Sequence, residues 1–132
     1  MERIWIPGLA SAATVRMSCS PEGPAVIALT GELDSHTAVV VEMAVATALA
    51  RSRGIRAIVM DLAELTFLSV TGVQALHAAV DRAAAKGVTL RIALGPHSVA
   101  YRAMVTTGMI AVLDHYPDRH TAFAVADLRS VN

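Results

Sequence analysis

The chain has 132 residues, with 11 Lys and Arg against 11 Asp and Glu, and 55% hydrophobic but only 4% aromatic residues. This length suits one domain with a full hydrophobic core, and the composition excludes an intrinsically disordered chain. Because the net formal charge is zero, no strongly basic surface is available to neutralise several phosphates, which argues against direct nucleic-acid binding.

The cysteine count and the hydropathy pattern restrict the cellular setting. Cys19 is the only cysteine, so no disulfide can form within the chain, which fits a reducing cytoplasm and an inert thiol. The most apolar stretch, residues 38–50, is interrupted by Glu42 and is shorter than the about 20 residues that span a bilayer. Pro7 and Gly8 interrupt the N-terminus, so we expect no signal peptide, no membrane association and a cytoplasmic location.

The first half of the chain predicts two strands and a helix. Turn residues at 20–24 separate two apolar runs, which indicates a hairpin. A polar turn at Gly31–Ser35 precedes an apolar-periodic segment that Gly54 ends. The predicted elements are strands at Thr14–Ser18 and Ala25–Leu29 and a helix at His36–Arg53.

The second half alternates strands with helices. Strands are predicted at Ile55–Leu62, Val88–Leu94 and Ile110–Leu113; helices are predicted from Gly72 to Gly87, from Pro96 to Gly108, and from Asp118 to Leu128. Strand–helix–strand crossovers require right-handed parallel connections. We therefore expect an α/β domain over residues 14–128, after an extension at 1–13. Its mixed sheet should have about five strands, with about four helices packed mainly on one face.

The stretch from Ile58 to Leu76 is the most informative part of the chain. A Ser-Val-Thr-Gly turn follows a buried strand and opens a helix, which places the hydroxyls of Ser69 and Thr71 at a helix N-terminus. Such an end favours a phosphate through its unpaired N–H groups and partial positive charge. No nucleophile with a neighbouring base accompanies these hydroxyls, so the pattern predicts a modified binding site and not an enzyme.

Two motifs, LTGELD at 29–34 and DLAELTFLSVTG at 61–72, together with the element order, resemble the STAS domain family. The likeness is greatest to the stand-alone bacterial anti-sigma factor antagonists and extends from Thr14 to Leu128. This resemblance implies a partner switch without a cofactor. The antagonist binds an anti-sigma factor that is also a Ser/Thr kinase, which releases a sigma factor. Phosphorylation at the start of the second helix ends binding, and a phosphatase reverses it.

The resemblance assigns roles to individual residues. Thr71 occupies the position of the phospho-acceptor, with Ser69 as the lesser candidate, and Val70 and Gly72 complete the loop. Ser69 stands where the family commonly has Asp, and Val70 replaces a hydroxyl residue. The alternative role for Thr71 is a plain helix N-cap, since Thr is a common one.

The acidic turn admits two interpretations. Glu32 and Asp34 match a turn that contributes to the partner surface in the family, but they also fit a turn with an N-cap for the first helix. Phe67 and Leu68 are expected to form a hydrophobic plug beneath the loop of the second helix.

Two other functions remain open. A STAS module that is never phosphorylated and serves as a scaffold in a signalling or transport assembly would explain the altered Ser69–Val70 pair. A nucleotide-binding domain with weak hydrolysis is the enzyme alternative, although no phosphate-binding glycine motif occurs. The polar group Asp114, His115, Asp118 and His120 matches no standard metal spacing, so no metal site is expected.

The first helix carries a second apolar line beside its inner stripe. Val39, Met43 and Ala46 lie on it, with Ala50 one turn further on. A helix this apolar should not face water all round. The line predicts a protein interface, in the simplest case a homodimer; the alternative is that the N-terminal segment, with Trp5, covers it.

Overall fold

A computed structural model describes residues 2–4, 13–19, 24–51, 54–111 and 113–124 of the chain. The sheet it contains has six strands: β1 (Glu2–Ile4), β2 (Ala13–Ser18), β3 (Ala25–Leu33), β4 (Ala57–Leu68), β5 (Thr89–Ala93) and β6 (His115–Tyr116). They lie side by side in chain order. The pairs β1–β2 and β2–β3 are antiparallel, and the three following pairs are parallel, so the predicted mixed sheet is confirmed. β1 adds an edge strand from within the expected N-terminal extension.

Three helices connect the parallel strands: α1 (Ala38–Arg51), α2 (Val70–Ala85) and α3 (Val99–Thr106). Their buried side chains join those of β2–β5 in one core, so all three helices pack on the same face of the sheet. Residues 119–124 are helical and lie on the other face, where Ala122 packs against Val59 and Ala93. The rest of the predicted last helix falls outside the described residues.

Two predicted elements differ from the structure. Residues predicted as a strand at Ile110–Leu113 instead include a 3-10 turn, Met109–Ala111, and the strand follows as β6. Pro96 does not lie in the first turn of α3. Ser98 is the N-cap of that helix, because its hydroxyl accepts a hydrogen bond from the Tyr101 N–H at 3.1 Å.

β4 is longer than predicted, and its second half departs from regular strand geometry. Its pairing with β3 shifts twice, between Ala28 and Thr30 and between Gly31 and Glu32, because β4 has one extra residue at each point. Bulges of this kind redirect side chains and are frequent beside functional sites. Burial along β4 therefore changes from a continuous run in its first half to every third residue in its second, and Leu62, Leu65 and Leu68 enter the core.

Candidate functional site

The start of α2 is fixed by hydrogen bonds that involve Ser69. Its hydroxyl accepts a bond from the Gly72 N–H at 3.1 Å, and its own N–H donates to the Leu33 carbonyl at 3.0 Å. Ser69 is thus the N-cap of α2. The alternative role of Thr71 as the N-cap is wrong, because Ser69 occupies that position.

Thr71 is the second residue of α2, and its side chain is exposed. Its hydroxyl makes no hydrogen bond to another of the described residues. Val70 beside it is 59% exposed, an unusually high value for a β-branched apolar side chain. The start of α2 therefore presents a free hydroxyl next to an exposed apolar side chain.

Gly72 allows α2 to approach β3 closely. A Cβ at this position would lie 2.6 Å from the Leu33 carbonyl oxygen and 2.8 Å from Cδ1 of Leu68. Both distances are shorter than van der Waals contact permits. The absence of a side chain at Gly72 is what brings the Thr71 loop onto the end of β3.

Asp34 organises the connection between β3 and α1. Its carboxylate accepts hydrogen bonds from the N–H groups of His36 at 2.9 Å and Thr37 at 3.1 Å. Burial acts to raise the pKa of Asp34, but these backbone bonds outweigh it and hold the pKa below its usual value. Thr37, which is buried, donates its hydroxyl proton to the Glu32 carbonyl at 2.7 Å. The carboxylate of Asp34 thus serves the turn and the helix start, one of the two interpretations left open by the sequence.

Glu32 and Phe67 lie side by side on the surface. They are paired residues of β3 and β4, and both side chains are exposed, Phe67 by 47%. Leu68 is buried as predicted for a plug, but Phe67 is not: the bulges in β4 turn it outward. The sequence did not predict that the side chain of Phe67 is exposed. The signal that could have indicated this exposure is the three-residue spacing of Leu62, Leu65 and Leu68.

We call the exposed side chains of Glu32, Phe67, Val70 and Thr71 the switch surface. Segments 30–38 and 64–73, which carry these side chains, contain no Lys or Arg. They contain Glu32, Asp34 and Glu64. The switch surface is therefore apolar and acidic.

A scan against protein-family models matches the STAS domain over residues 17–122. The chain belongs to the STAS domain family. A comparison of this STAS domain with curated proteins finds no significant match by sequence.

Solved structures similar to this STAS domain include two anti-sigma factor antagonists. One, from Mycobacterium paratuberculosis, is 25% identical with a TM-score of 0.73, and the match covers 90% of this chain and 97% of that one. The other is SpoIIAA in its unphosphorylated form, 18% identical with a TM-score of 0.65, covering 88% of this chain and 96% of that one. The fold predicted from the sequence is thereby confirmed.

The described side chains include no group of three or more His, Cys, Asp or Glu placed to hold a metal ion. None of the helices in the described part of the chain is long and apolar enough to cross a membrane. Cys19 is an exposed free thiol.

Proposed function

We propose that this STAS domain is an anti-sigma factor antagonist that works in the cytoplasm. It binds an anti-sigma factor of the Ser/Thr kinase type and thereby releases a sigma factor. Phosphorylation of Thr71 ends the binding, and a phosphatase restores it. The observation that carries the proposal is the exposed, unbonded hydroxyl of Thr71 at the start of α2.

The helix start supports Thr71 over Ser69 as the acceptor. The hydroxyl of Ser69 is engaged with the Gly72 N–H, whereas that of Thr71 faces solvent. Ser and Asp are about equally good N-caps, so Ser69 fulfils the structural part of the role of the Asp that commonly stands here in the family. It does so without a negative charge, which leaves the positive end of the helix dipole free to interact with a phosphate on Thr71.

The composition of the switch surface explains why a phosphate would end binding. Phe67 and Val70 supply apolar area for an interface, and Glu32 supplies charge complementary to a basic partner. A phosphate adds nearly two negative charges that an apolar interface must desolvate. A penalty of about 1.4 kcal/mol already weakens affinity tenfold.

Intact-mass analysis after incubation with ATP and each candidate anti-sigma kinase tests the proposal. We expect one added phosphate that peptide mapping places on Thr71. Thr71→Ala should remain unmodified. It should stay bound to the kinase in the presence of ATP, whereas the unsubstituted chain should be phosphorylated and released. Ser69→Ala distinguishes the two hydroxyls: it should still be phosphorylated, although more slowly, because it also removes the cap that holds the start of α2.

Three outcomes would contradict parts of this proposal. A stable complex without phosphate transfer would contradict regulation by phosphorylation and would mean that the antagonist is regulated by another route. If neither phosphate nor complex forms with any candidate kinase, the scaffold function takes its place, and Thr71→Ala should then behave like the parent chain. Saturable binding of ATP or GTP to the isolated chain would instead favour the nucleotide-binding alternative.

A further inference from the structure

The outer face of α1 is apolar although it faces solvent. Six residues of this helix are exposed, and four of them are Val39, Met43, Ala46 and Ala50. Val39 is 45% exposed and Met43 39%. We call these four residues the α1 stripe. A surface helix ordinarily places charged or polar residues on such a face.

A groove between α1 and α2 extends the apolar area beside the stripe. Arg82 of α2 spans it to reach Glu42 of α1, with Nη2 and Oε1 2.9 Å apart. On one side of this pair lies a hollow of about 270 Å³ lined mainly by alanines and Val39. On the other lies one of about 600 Å³ between Ala46, Leu49 and Val88. The described residues thus leave most of the α1–α2 face without a partner.

Charge is distributed unevenly along this face. At the N-terminal end of α1 lie Glu32 and Asp34, with no Lys or Arg in segments 30–38 and 64–73. At its C-terminal end lie Arg51, Arg56 and Lys86, since α1 and α2 both end where β4 and β5 begin. Glu32 and Asp34 make the first end acidic, and the three basic residues outnumber Asp81 at the second, so the two ends are of opposite sign. Two such faces attract each other when they pack in opposite directions.

We propose that the α1 stripe is the interface of a homodimer in which two copies of α1 pack antiparallel about a two-fold axis. The axis passes midway along the stripe, so Val39 meets the partner's Ala50 and Met43 meets the partner's Ala46. Each acidic end then lies beside the partner's basic end, and antiparallel helix dipoles add to the attraction. Small residues at Ala46 and Ala50 permit close approach. This inference goes beyond the proposed function and does not depend on it.

The size of the face indicates a weak dimer. A helix of 14 residues is about 21 Å long and neighbouring helices lie about 10 Å apart, so a contact two helices wide covers on the order of 400 Å² per partner, about half of a standard specific interface. We expect a dissociation constant on the order of 10–100 µM. Sedimentation equilibrium over about 5–500 µM measures it.

Cysteine cross-linking tests the geometry. In a Cys19→Ser background, which removes the exposed native thiol, an equimolar mixture of Val39→Cys and Ala50→Cys chains should form the mixed disulfide dimer. Val39→Cys alone should not cross-link, because its two copies would lie about 16 Å apart along the helices, too far for a disulfide. Efficient cross-linking of Val39→Cys to itself, or none in the mixture, would overturn the antiparallel arrangement.

A matched pair of variants tests the surface. Met43→Glu should raise the dissociation constant at least tenfold, because Met43 lies next to the two-fold axis and the change brings two carboxylates close together in the apolar interface. Val105→Glu, at a valine of α3 that is 49% exposed, should leave the constant unchanged. A parent chain that remains monomeric at about 500 µM, or equal effects of the two variants, would overturn the homodimer. If Met43→Glu weakens only the complex with the anti-sigma factor, the stripe belongs to that partner and the homodimer is wrong.

Discussion

Gly72 is the residue on which the shape of the helix start depends most directly. We expect Gly72→Ala to lower the free energy of unfolding by about 1–3 kcal/mol, because the new Cβ meets the rigid Leu33 carbonyl and forces α2 away from β3. Alanine favours helices over glycine by up to about 1 kcal/mol, so the steric term must exceed that gain. Urea denaturation followed by circular dichroism measures the difference.

Gly95 supplies the matched control for this substitution. A Cβ there meets nothing within 4 Å, and its φ lies outside the left-handed region. Gly95→Ala should therefore change the free energy of unfolding little. If Gly72→Ala proved as stable as the parent chain, the close approach of α2 to β3 would not be what fixes the Thr71 loop.

At the level of elements, the sequence predicted α1, α2 and the order of strands and helices because their apolar periodicity is long and ends at glycines. It failed for the second half of β4 and for β6. After the two bulges in β4, buried residues recur at every third position, a period that neither an alternating strand nor a continuously buried strand predicts. β6 has two residues and owes its place to its pairing with β5, a tertiary contact that no local pattern records. The same limit applied to Phe67, whose exposure follows from the bulges and not from its neighbours in sequence.

The second face of the sheet contains a buried charged residue whose burial the local sequence pattern does not predict. Arg91 of β5 is 1% exposed, and its Nε lies 3.6 Å from the Asp114 carboxylate without a hydrogen bond to any described residue. Burial and the nearby Asp114 raise the pKa of Tyr116, while Arg91 acts in the opposite direction. These contacts link β5 to the segment that leads into β6, so this cluster helps to position the last strand.

We expect Asp114→Ala to lower the free energy of unfolding by about 1–3 kcal/mol, because it leaves the buried guanidinium without a carboxylate. Adding Arg91→Met should recover most of that loss, since an apolar side chain of similar length removes the uncompensated charge. Urea denaturation of the single and double variants measures both effects. Asp81→Ala, at an aspartate whose side chain is 73% exposed, is the control and should change little. A double variant no more stable than Asp114→Ala would show that the carboxylate does not act through Arg91.

At the scale of the whole molecule, the hydrophobic core and the switch surface occupy different parts of the domain. The core lies between the sheet and α1–α3, whereas Thr71 is exposed at one end of the sheet. A phosphate on Thr71 would sit in the first turn of α2, where a negative charge stabilises a helix by about 0.3–1 kcal/mol. Under the proposed function, modification thus ends binding through the charge of the surface and does not require the fold to change.

Phosphorylation at Thr71 is therefore expected to leave the free energy of unfolding unchanged or raise it by up to about 1 kcal/mol, while affinity for the anti-sigma factor falls at least tenfold. Urea denaturation and calorimetric titration of the same phosphorylated sample compare the two quantities, with Thr71→Glu as a partial mimic. Thr89→Glu, at an exposed threonine where β5 begins and thus at the opposite end of the sheet, should leave affinity unchanged. If phosphorylation lowered the free energy of unfolding to about zero, so that the phosphorylated chain were largely unfolded, unfolding would account for the release, and the switch would be conformational instead of electrostatic.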